Sequence, residues 1–351
     1  MSDTATGDTA IGKTVTNKTV ANKTVANKTL TNEKAKPDWA GDDLLSRFVN
    51  LLIQTKPIYR LMKTQARKVL IQTAEKNGIP WRENYEAFAA SGIEQTLTDV
   101  ANSNITYPDY YQAPFHAYEQ GNLCWAAAFE AESATYSMAL RVWPKESLTW
   151  QAAQNRLRSS FHDVLTQYGP SSVKDILDVG CSVGISTRTL HAYYQQQQNH
   201  PVRTVGLDLS PYMLAVAKAQ DKDGSISQWI HTKAEDTGLT GASFDLVTMQ
   251  FVIHELPRHI TQAIFKEAYR LLRAGGALAI VDNNPQSPVI QKLPPVLFTL
   301  MKSTEPWSDD YYTFDVETAL ENTGFEPVVT VASDPRHRTV MGRKPVANSQ
   351  N

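Results

Sequence analysis

The chain has 351 residues, of which 42% are hydrophobic and 20% charged, and this composition is typical of a globular protein with a substantial core. Its formal net charge of −2 lacks the basic excess of proteins that bind nucleic-acid phosphates, so we expect no nucleic-acid partner. Two cysteines, Cys124 and Cys181, argue against a disulfide framework and favour a reducing compartment. No apolar run approaches the roughly 20 residues that cross a bilayer, and the N-terminus lacks a secretory signal. We therefore expect a cytoplasmic protein, with loose membrane association left open.

The first segment is a polar repeat. A five-residue unit recurs from Lys13 to Asn32, beginning as KTVTN and ending as KTLTN. A period of five matches neither a helix nor a strand, and one aliphatic residue per copy buries too little apolar surface to order the chain. The pattern predicts a disordered low-complexity tail over residues 1–37.

Residues 38–150 are predicted to form a mostly helical cap. A first amphipathic helix is predicted after Asp42-Asp43, and a second runs from about residue 58 to the stop signal Asn77-Gly78. Basic residues cluster in this part of the chain, namely Lys56, Arg60, Lys63, Arg67 and Lys68. They are interpreted as a solvated helix face, and a weak membrane-surface or anionic-partner role is the alternative.

Aromatic residues crowd the second half of this cap. They are Tyr107, Tyr110, Tyr111, Phe115, Tyr118 and Trp125. Aromatic side chains combine a large apolar area with a polar tip, which suits a domain interface or a pocket wall. We expect most of them to pack on the catalytic half, with contact to a flat, apolar substrate as a hypothesis for some rings.

Beyond a helix predicted over 148–168, strands and helices alternate. Strands are predicted over 174–179, 203–209, 228–234, 244–250, 277–281, 328–332 and 338–342, with helices over 185–194, 211–219, 257–273 and 315–322. This order predicts an α/β fold with a Rossmann-like, doubly wound seven-stranded sheet, in which the last hairpin contributes one antiparallel strand. Such sheets bind ligands where their strands end, so the chemistry is expected after Val179, Leu209, Ala234, Gln250 and Val281.

A glycine turn follows the first of these strands. In ILDVGCSVGIST, the pattern Asp178-x-Gly180-x-x-x-Gly184 runs directly into a helix. Glycine permits a tight turn and a close approach of backbone to ligand, and the free N–H groups of a helix start bind a carboxylate. The segment resembles motif I of the class I S-adenosylmethionine-dependent methyltransferases, although Ser182 stands where that family has its central glycine.

The resemblance covers residues 171–345, so a methyltransferase domain is predicted over 151–345, followed by a short tail over 346–351. It implies S-adenosylmethionine as the cofactor and a small-molecule methyl acceptor, because the sequence is most similar to the branch that includes the quinone-biosynthesis methyltransferases. No metal site is predicted, and the oligomeric state is not readable from the sequence.

The later segments follow the family's order. Asp208 ends the second strand, where the family binds the ribose hydroxyls. HTKAEDTGL resembles the segment that contacts adenine, but Lys233 stands where many relatives have an acid, so Glu235 or Asp236 must supply the carboxylate. FDLVTMQFVIHELP resembles the fourth strand and places Gln250 near the methionine end. The cofactor-binding residues that the resemblance implies are Asp178, Gly180, Cys181, Ser182, Gly184, Asp208, Leu209, Met213, Ala234, Glu235, Asp236 and Gln250.

His254 is the candidate catalytic residue. It follows the fourth strand at the cofactor end of the sheet, and an unperturbed histidine titrates near pH 6.5, which suits a general base that takes a proton from a hydroxyl or an activated ring carbon. Glu255 is placed to orient His254 or to cap the helix that Pro257 opens. The alternative is a histidine that only packs at a helix start.

Residues 283–312 form a longer connection than usual and are predicted to act as a lid. The apolar residues expected to line an acceptor pocket there are Val296, Leu297, Phe298, Leu300, Met301 and Trp307. A plain surface helix packed on the cap is the alternative. With the aromatic cap, this segment suggests an apolar or aromatic acceptor such as a quinol, a phenol or an isoprenoid.

The predicted function is therefore O- or C-methylation of a small, apolar or aromatic molecule. The alternative is a methyltransferase-like protein that binds the cofactor or a partner without turnover. A nucleic-acid adenine methyltransferase would carry an Asn/Asp-Pro-Pro-aromatic motif after the fourth strand, where this chain reads MQFVIHEL. A nicotinamide-dependent oxidoreductase would show G-x-G-x-x-G after the first strand, which this turn does not match.

Overall fold

The computed structural model describes residues 48, 51, 56–116 and 118–346, which belong to one compact unit. Its helices are α1 (Lys56–Lys76), α2 (Trp81–Ala90), α3 (Leu97–Val100), α4 (Trp125–Leu140), α5 (Trp150–Tyr168), α6 (Ile185–Gln197), α7 (Pro211–Gln220), α8 (Arg258–Leu271), α9 (Pro288–Gln291), α10 (Pro295–Thr304), α11 (Ser308–Tyr312) and α12 (Val316–Thr323). Short 3-10 helices cover Ile93–Thr96, Asp109–Tyr111 and Ile253–Glu255.

The strands form one mixed sheet within the described part of the chain. They are β1 (Asp175–Val179), β2 (Arg203–Asp208), β3 (Gln228–His231), β4 (Phe244–Gln250), β5 (Leu272–Asn283), β6 (Val328–Ala332) and β7 (His337–Arg343), in the order β3-β2-β1-β4-β5-β7-β6. The pairs among β1 to β5 are parallel, whereas β7 is antiparallel to both β5 and β6. The predicted seven-stranded, Rossmann-like sheet with one antiparallel strand is confirmed.

Local sequence explains where the helices around the sheet begin and end. Thr149, Ser210 and Asp315 accept backbone N–H groups at the starts of α5, α7 and α12, as expected of N-cap residues. Pro211 follows its cap at the first helical position, where its missing N–H costs nothing. Gly324 ends α12 with a φ of 106°, a conformation that favours glycine.

The core lies on both faces of the sheet. Successive residues of β1 alternate between two buried clusters: Leu177 joins the one that α8 and α12 cover, and Ile176 joins the one that α5 and α6 cover. The cap adds a third cluster, in which Phe129 of α4 packs with Met213 of α7. Burial on both faces explains why the parallel strands read as apolar runs.

The cap is also tied by a buried carboxylate. Glu130 of α4 is 3% exposed and accepts hydrogen bonds from Arg67 of α1 and from Tyr118. One member of the predicted basic cluster, Arg67, therefore pairs with a buried carboxylate, while Lys68 has no such burial and is exposed. The side chains of Lys56, Arg60 and Lys63 lie outside the described residues.

Two sequence-based predictions differ most clearly from the structure. β5 begins at Leu272, so Gly275-Gly276 lies inside the strand as an irregularity of its pairing with β4 rather than as a turn before it. Residues 283–312, predicted as a lid loop, contain the helices α9, α10 and α11. This correction favours the alternative of packed surface helices, since apolar residues at helical spacing bury one side of each helix.

The N-terminal predictions fall largely outside the described residues. These are the repeat, the tail over residues 1–37 and most of the first amphipathic helix, of which only Phe48 and Leu51 are described and helical. The second predicted helix corresponds to α1, and Pro57 lies in its first turn. None of the helices in the described ranges is both long enough and apolar enough to span a membrane.

Packing of α8 on the sheet predicts a large stability effect at Phe265. This side chain is fully buried and its ring lies 6.3 Å from that of Phe314. Phe265→Ala should lower the free energy of unfolding by about 3–5 kcal/mol, because it removes a large apolar side chain and leaves a cavity. Leu297→Ala is the matched control, since Leu297 is 49% exposed. Denaturant unfolding of both variants measures the difference, and similar losses in the two would contradict this packing.

Candidate active site

The site lies where the central parallel strands end. Val179 at the end of β1 is in register with Leu207 of β2 on one side and with Met249 of β4 on the other. The turns after these strands therefore meet at one edge of the sheet. All the predicted cofactor-binding residues lie on the ends of β1, β2 and β4, on the segments that follow the first four strands, or in the first turn of α7.

The turn after β1 depends on left-handed backbone conformations. Gly180, Ser182 and Gly184 have φ values of 69°, 50° and 74°. A Cβ atom on Gly180 would lie 2.6 Å from a methyl of Val252, and one on Gly184 would lie 2.5 Å from the Trp229 ring. Both glycines are thus required by conformation and by space, whereas Ser182 adopts a positive φ at a cost.

Hydrogen bonds fasten this turn to β2. The amides of Gly180 and Cys181 donate to the carbonyl of Leu207 at 2.8 and 3.0 Å, and the amide of Ser182 donates to Asp208 Oδ2 at 2.8 Å. Asp208 Oδ1 accepts from the Ser210 amide at 2.8 Å. Burial raises the pKa of Asp208, and the two amide hydrogen bonds oppose that rise.

Asp178 stabilises the same turn from its buried side. It is 1% exposed, and its carboxylate accepts hydrogen bonds from the hydroxyls of Ser186, Thr187 and Thr248 at 2.9, 2.8 and 2.6 Å. Burial raises the pKa of Asp178 and these hydroxyls oppose it. The carboxylate links β1 to α6 and β4, so its role in this structure is to stabilise the turn after β1.

The segment after β3 distinguishes Glu235 from Asp236, the two acids that the sequence offered as the carboxylate for adenine. Glu235 is half-buried, and its carboxylate accepts the Tyr110 hydroxyl at 2.9 and 3.0 Å. Asp236 is exposed, and its backbone bridges to Lys233. Ala234 is half-buried beside them. Of the two acids, Glu235 is the one that faces other groups of the site.

The aromatic part of the cap crosses this edge of the sheet. The Tyr111 hydroxyl donates to Asp208 at 3.4 Å, and the Tyr107 hydroxyl lies 3.3 Å from His231 Nε2. A small cavity adjoins this segment, and it is lined by Tyr110, Tyr111, Ala113, Phe115, Asn122, Glu255, Leu256, Pro306 and Trp307. Trp125 instead packs against Phe129 and Tyr212.

The residues predicted to line an acceptor pocket lie in different surroundings in the structure. Trp307 lines the cavity, Phe298 is buried in the core, and Leu297 is exposed. The side chains of Val296, Leu300 and Met301 lie outside the described residues. Only Trp307 therefore has the predicted location among those described.

His254 pairs with a buried carboxylate that the sequence did not suggest. Its Nδ1 lies 2.8 Å from Asp282 Oδ1 and 3.1 Å from Oδ2, and its backbone N–H donates to Oδ2 at 3.3 Å. Burial lowers the pKa of His254, but the charge of Asp282 and the hydrogen bond with it outweigh burial and raise the pKa to about 10. The ordinary value near 6.5 is therefore wrong for this ring, which is protonated at neutral pH.

Glu255 faces the cavity next to this pair. Burial raises the pKa of its carboxyl group above the ordinary value, while the nearby His254 charge opposes the rise. His116 Nε2 lies 4.0 Å from Glu255 Oε1. Glu255 does not touch His254 by a hydrogen bond among the described contacts, and Asp282 is the group that orients the ring instead.

Arg158 is a second residue that the sequence did not reveal. It lies on α5, is 6% exposed, and its Nη1 donates to Gln250 Oε1 at 2.9 Å. On the sequence it is one of several charged positions of an amphipathic helix, and no spacing sets it apart. Asp282 was more accessible to sequence reasoning, because it directly follows Val281 at the predicted ligand edge.

Comparison with known proteins identifies the domain. Residues 177–280, from β1 to β5, match the family model described as a methyltransferase domain. This domain belongs to the class I S-adenosylmethionine-dependent methyltransferases. The demethylmenaquinone methyltransferase of Staphylococcus saprophyticus is 28% identical over 130 residues, which are 37% of this chain and 53% of the relative. The chain thus spans about half the length of this relative.

Other similar proteins are named for different acceptors. The erythromycin 3''-O-methyltransferase of Saccharopolyspora erythraea is 30% identical over 121 residues, which are 33% of this chain and 37% of that protein. Among solved structures, human N-acetylserotonin methyltransferase in complex with S-adenosylmethionine has a TM-score of 0.45 at 13% identity, covering 73% of this chain and 66% of that one.

The residues of the methyltransferase domain fit the family's cofactor. The buried Nε2 of Gln250 has no hydrogen-bond partner in the described structure, so this amide can donate a hydrogen bond to an acceptor on a ligand. Two acids, Asp208 and Glu235, end or follow adjacent strands, where nucleoside hydroxyl and amino groups need acceptors.

The close fit at Gly184 predicts that even a methyl group there is harmful. Gly184→Ala should cost about 1–2 kcal/mol for the left-handed backbone and about 1–3 kcal/mol more for overpacking against Trp229. Gly238→Ala is the matched control, because Gly238 has a φ of 68° and a methyl group added there would meet no other atom within 4 Å. Thermal unfolding and calorimetry with S-adenosylhomocysteine compare the two. Equal effects would show that the contact with Trp229 is not limiting.

Proposed function

We propose that this protein transfers the methyl group of S-adenosylmethionine to a small apolar or aromatic molecule, at a hydroxyl oxygen or at a ring carbon that an ionised hydroxyl activates. The observation that carries this proposal is the contact between His254 and Asp282. It puts a half-buried imidazole with a buried carboxylate partner at the ends of β4 and β5. Glu255, the next residue in the chain, lines an aromatic cavity.

The cofactor-binding roles follow the strand ends. Asp208 would accept the ribose hydroxyls and Glu235 the adenine amino group, while Gln250 would face the methionine end. Cys181, Leu209 and Met213, which are buried beside the turn, would form its wall. The remaining assigned residues are Asp178, Gly180, Ser182, Gly184, Ala234 and Asp236, of which exposed Asp236 has the least support.

Bound S-adenosylmethionine supplies a methyl group on a sulfonium that is already activated for attack. The protein's task is to align the acceptor and to keep water out, which the rings of Tyr110, Phe115 and Trp307 around the cavity favour. Protons on the acceptor hydroxyl must leave before or during attack. The imidazole of His254 is the group at this edge with a carboxylate to stabilise its protonated form.

The raised pKa of His254 favours a phenolic acceptor. A phenol has a pKa of about 10, and Asp282 raises the pKa of His254 to about 10 against the effect of burial. Because the ring already holds its proton at neutral pH, a phenolic acceptor gives its proton to water, and the imidazolium stabilises the anionic oxygen that then attacks the methyl group. His254 thus acts as a positive charge beside the acceptor oxygen rather than as a free base at neutral pH.

The names of the relatives support a small acceptor. One is named for demethylmenaquinone and another for a 3''-O position of erythromycin. These names agree with the apolar and aromatic lining of the cavity.

His254→Ala should reduce turnover and spare cofactor binding. We expect kcat to fall by about 100-fold or more, because a preorganised charge aimed at the reacting oxygen contributes that much, while the affinity for S-adenosylhomocysteine stays unchanged. His259→Ala, an exposed histidine on α8, is the matched control. The measurement is incorporation of labelled methyl groups into a panel of phenols and hydroquinones and into a metabolite extract. A His254→Ala enzyme of normal rate would remove this residue from the mechanism.

The pH dependence tests the His254–Asp282 pair directly. With an acidic phenol that is ionised at neutral pH, the wild-type rate should persist as pH rises and fall as pH passes about 10, where His254 loses its proton. Asp282→Asn removes the charge that raises the pKa and leaves burial, which lowers it, so the fall should move towards neutral pH. Rate profiles from pH 6 to 11 measure this shift.

Other titrating groups remain in both proteins and serve as an internal reference. Glu255, Glu305, His116 and Tyr311 surround the pair and are unchanged by the substitution. An alkaline limb at the same pH in wild type and Asp282→Asn would contradict the role given to the carboxylate.

A further inference from the structure

Arg158 is a buried cation that forms no ion pair in the described structure. Its side chain lies on the sheet-facing side of α5, and the residue is 6% exposed. Its guanidinium carbon lies 5.8 Å from the centre of the Phe251 ring, directly after β4. Burial lowers the pKa of Arg158 to about 10, and the charge of Asp178 only partly opposes this. The surroundings therefore do not fully compensate the charge.

Two neutral amides hold the guanidinium in place. Nη1 donates to Gln250 Oε1 at 2.9 Å. With its amide turned so that the oxygen faces the guanidinium, Gln154 accepts from Nη2 at 3.2 Å and from Nε at 3.1 Å. Both glutamines are more than nine-tenths buried. These bonds orient the fork of Arg158 but add no negative charge.

Gln250 presents an unused donor at the same place. Its Nε2 is buried and has no hydrogen-bond partner in the described structure. An unsatisfied buried donor destabilises the fold, and a buried cation without a charged partner destabilises it more. A folded protein tolerates this combination best where a ligand completes it, and the missing complement is an anion with more than one acceptor oxygen.

We propose that Arg158, positioned by Gln154 and assisted by the Gln250 amide, binds the α-carboxylate of S-adenosylmethionine. The proposal rests on the proposed function. Gln250 ends β4, beside β1 and its glycine turn, so a carboxylate at this point belongs to the amino-acid end of a ligand whose ribose reaches Asp208 on the other side of β1. A planar guanidinium matches a carboxylate with two parallel hydrogen bonds.

A purely structural role for Arg158 would need Asp178 as its partner. The carboxylate of Asp178 already accepts three hydroxyl hydrogen bonds and forms none with the guanidinium. Asp178 therefore acts on Arg158 at a distance, and the donors of Arg158 that the two glutamines do not use stay available to a ligand.

The test compares two ligands that differ only in the carboxylate. Isothermal titration measures the affinity of the full-length protein for S-adenosylmethionine and for decarboxylated S-adenosylmethionine. In the wild type, the carboxylated ligand should bind more tightly. Arg158→Met should weaken it on the order of 100-fold and leave the decarboxylated ligand nearly unchanged, so that the difference between the two disappears. Gln250→Leu should act in the same direction with a smaller effect.

Arg156→Met is the matched control on the same helix. Arg156 is exposed, pairs with Glu146 and lies 4.5 Å from the Trp143 ring, and its loss should change neither affinity. Folding is checked by the rise in melting temperature that saturating ligand produces, which follows the affinity of each ligand. In Arg158→Met, the rise should shrink for S-adenosylmethionine alone.

Each alternative result has a separate meaning. Equal weakening of both ligands by Arg158→Met would make the residue structural and overturn the proposal, as would unchanged binding of both. If the wild type binds S-adenosylmethionine and Arg158→Met still prefers the carboxylated ligand, only this inference is overturned. A folded wild-type protein with no affinity for either ligand overturns the proposed function as well.

Discussion

The hydrogen bond from the Ser182 amide to the Asp208 carboxylate couples the two strand ends on which the rest of the site depends. It forms only because the turn after β1 adopts positive φ values at Gly180, Ser182 and Gly184. The amides of Gly180 and Cys181 reinforce it by donating to the end of β2. A carboxylate fixed by backbone amides needs little reorganisation to accept ligand hydroxyls, so the proposed nucleoside site is largely built before a ligand arrives.

Sequence reasoning succeeded where the signal was local. The predicted bounds of β4 and β6 match the structure, and β1, β2 and α7 differ from prediction by one residue at an end, because buried strands and capped helices leave compact apolar runs and Ser/Thr/Asp caps. The glycine turn was recognisable for the same reason. β5 was predicted too short because Gly275-Gly276 resembles a turn, whereas pairing with β4 keeps the backbone in the sheet around an irregularity.

The two residues that sequence reasoning missed, Asp282 and Arg158, act through contacts with residues that are distant in sequence. His254 and Asp282 are 28 positions apart, and Arg158 and Gln250 are 92 apart. Neither pair leaves a periodic pattern, since each side chain alone is compatible with a solvated position. The environment also changes the pKa of His254. Burial lowers it and the Asp282 carboxylate raises it by more, so the value of an isolated histidine does not apply.

The aromatic part of the cap touches the same acids that the nucleoside would use. Tyr111 donates to Asp208 and Tyr110 donates to Glu235, so the cap is coupled to the charges at the edge of the sheet as well as to the apolar surface of α7. Each of these carboxylates has more acceptor positions than these bonds occupy. A ligand hydroxyl or amino group at this edge would therefore share its carboxylate with a tyrosine of the cap.

Charge is distributed unevenly along this edge, and the distribution fits a ligand with opposite requirements at its two ends. Acids lie towards β2 and β3, where neutral nucleoside groups need acceptors, and the cation of Arg158 lies beside the end of β4. His254 is protonated at neutral pH, whereas the raised pKa of Glu255 favours its neutral form near the cavity. An ionised glutamate there would repel an anionic acceptor oxygen, while a neutral one does not. Burial at Glu255 and the Asp282 charge at His254 thus act in the same direction, since both make the acceptor end of the site favourable to an anion.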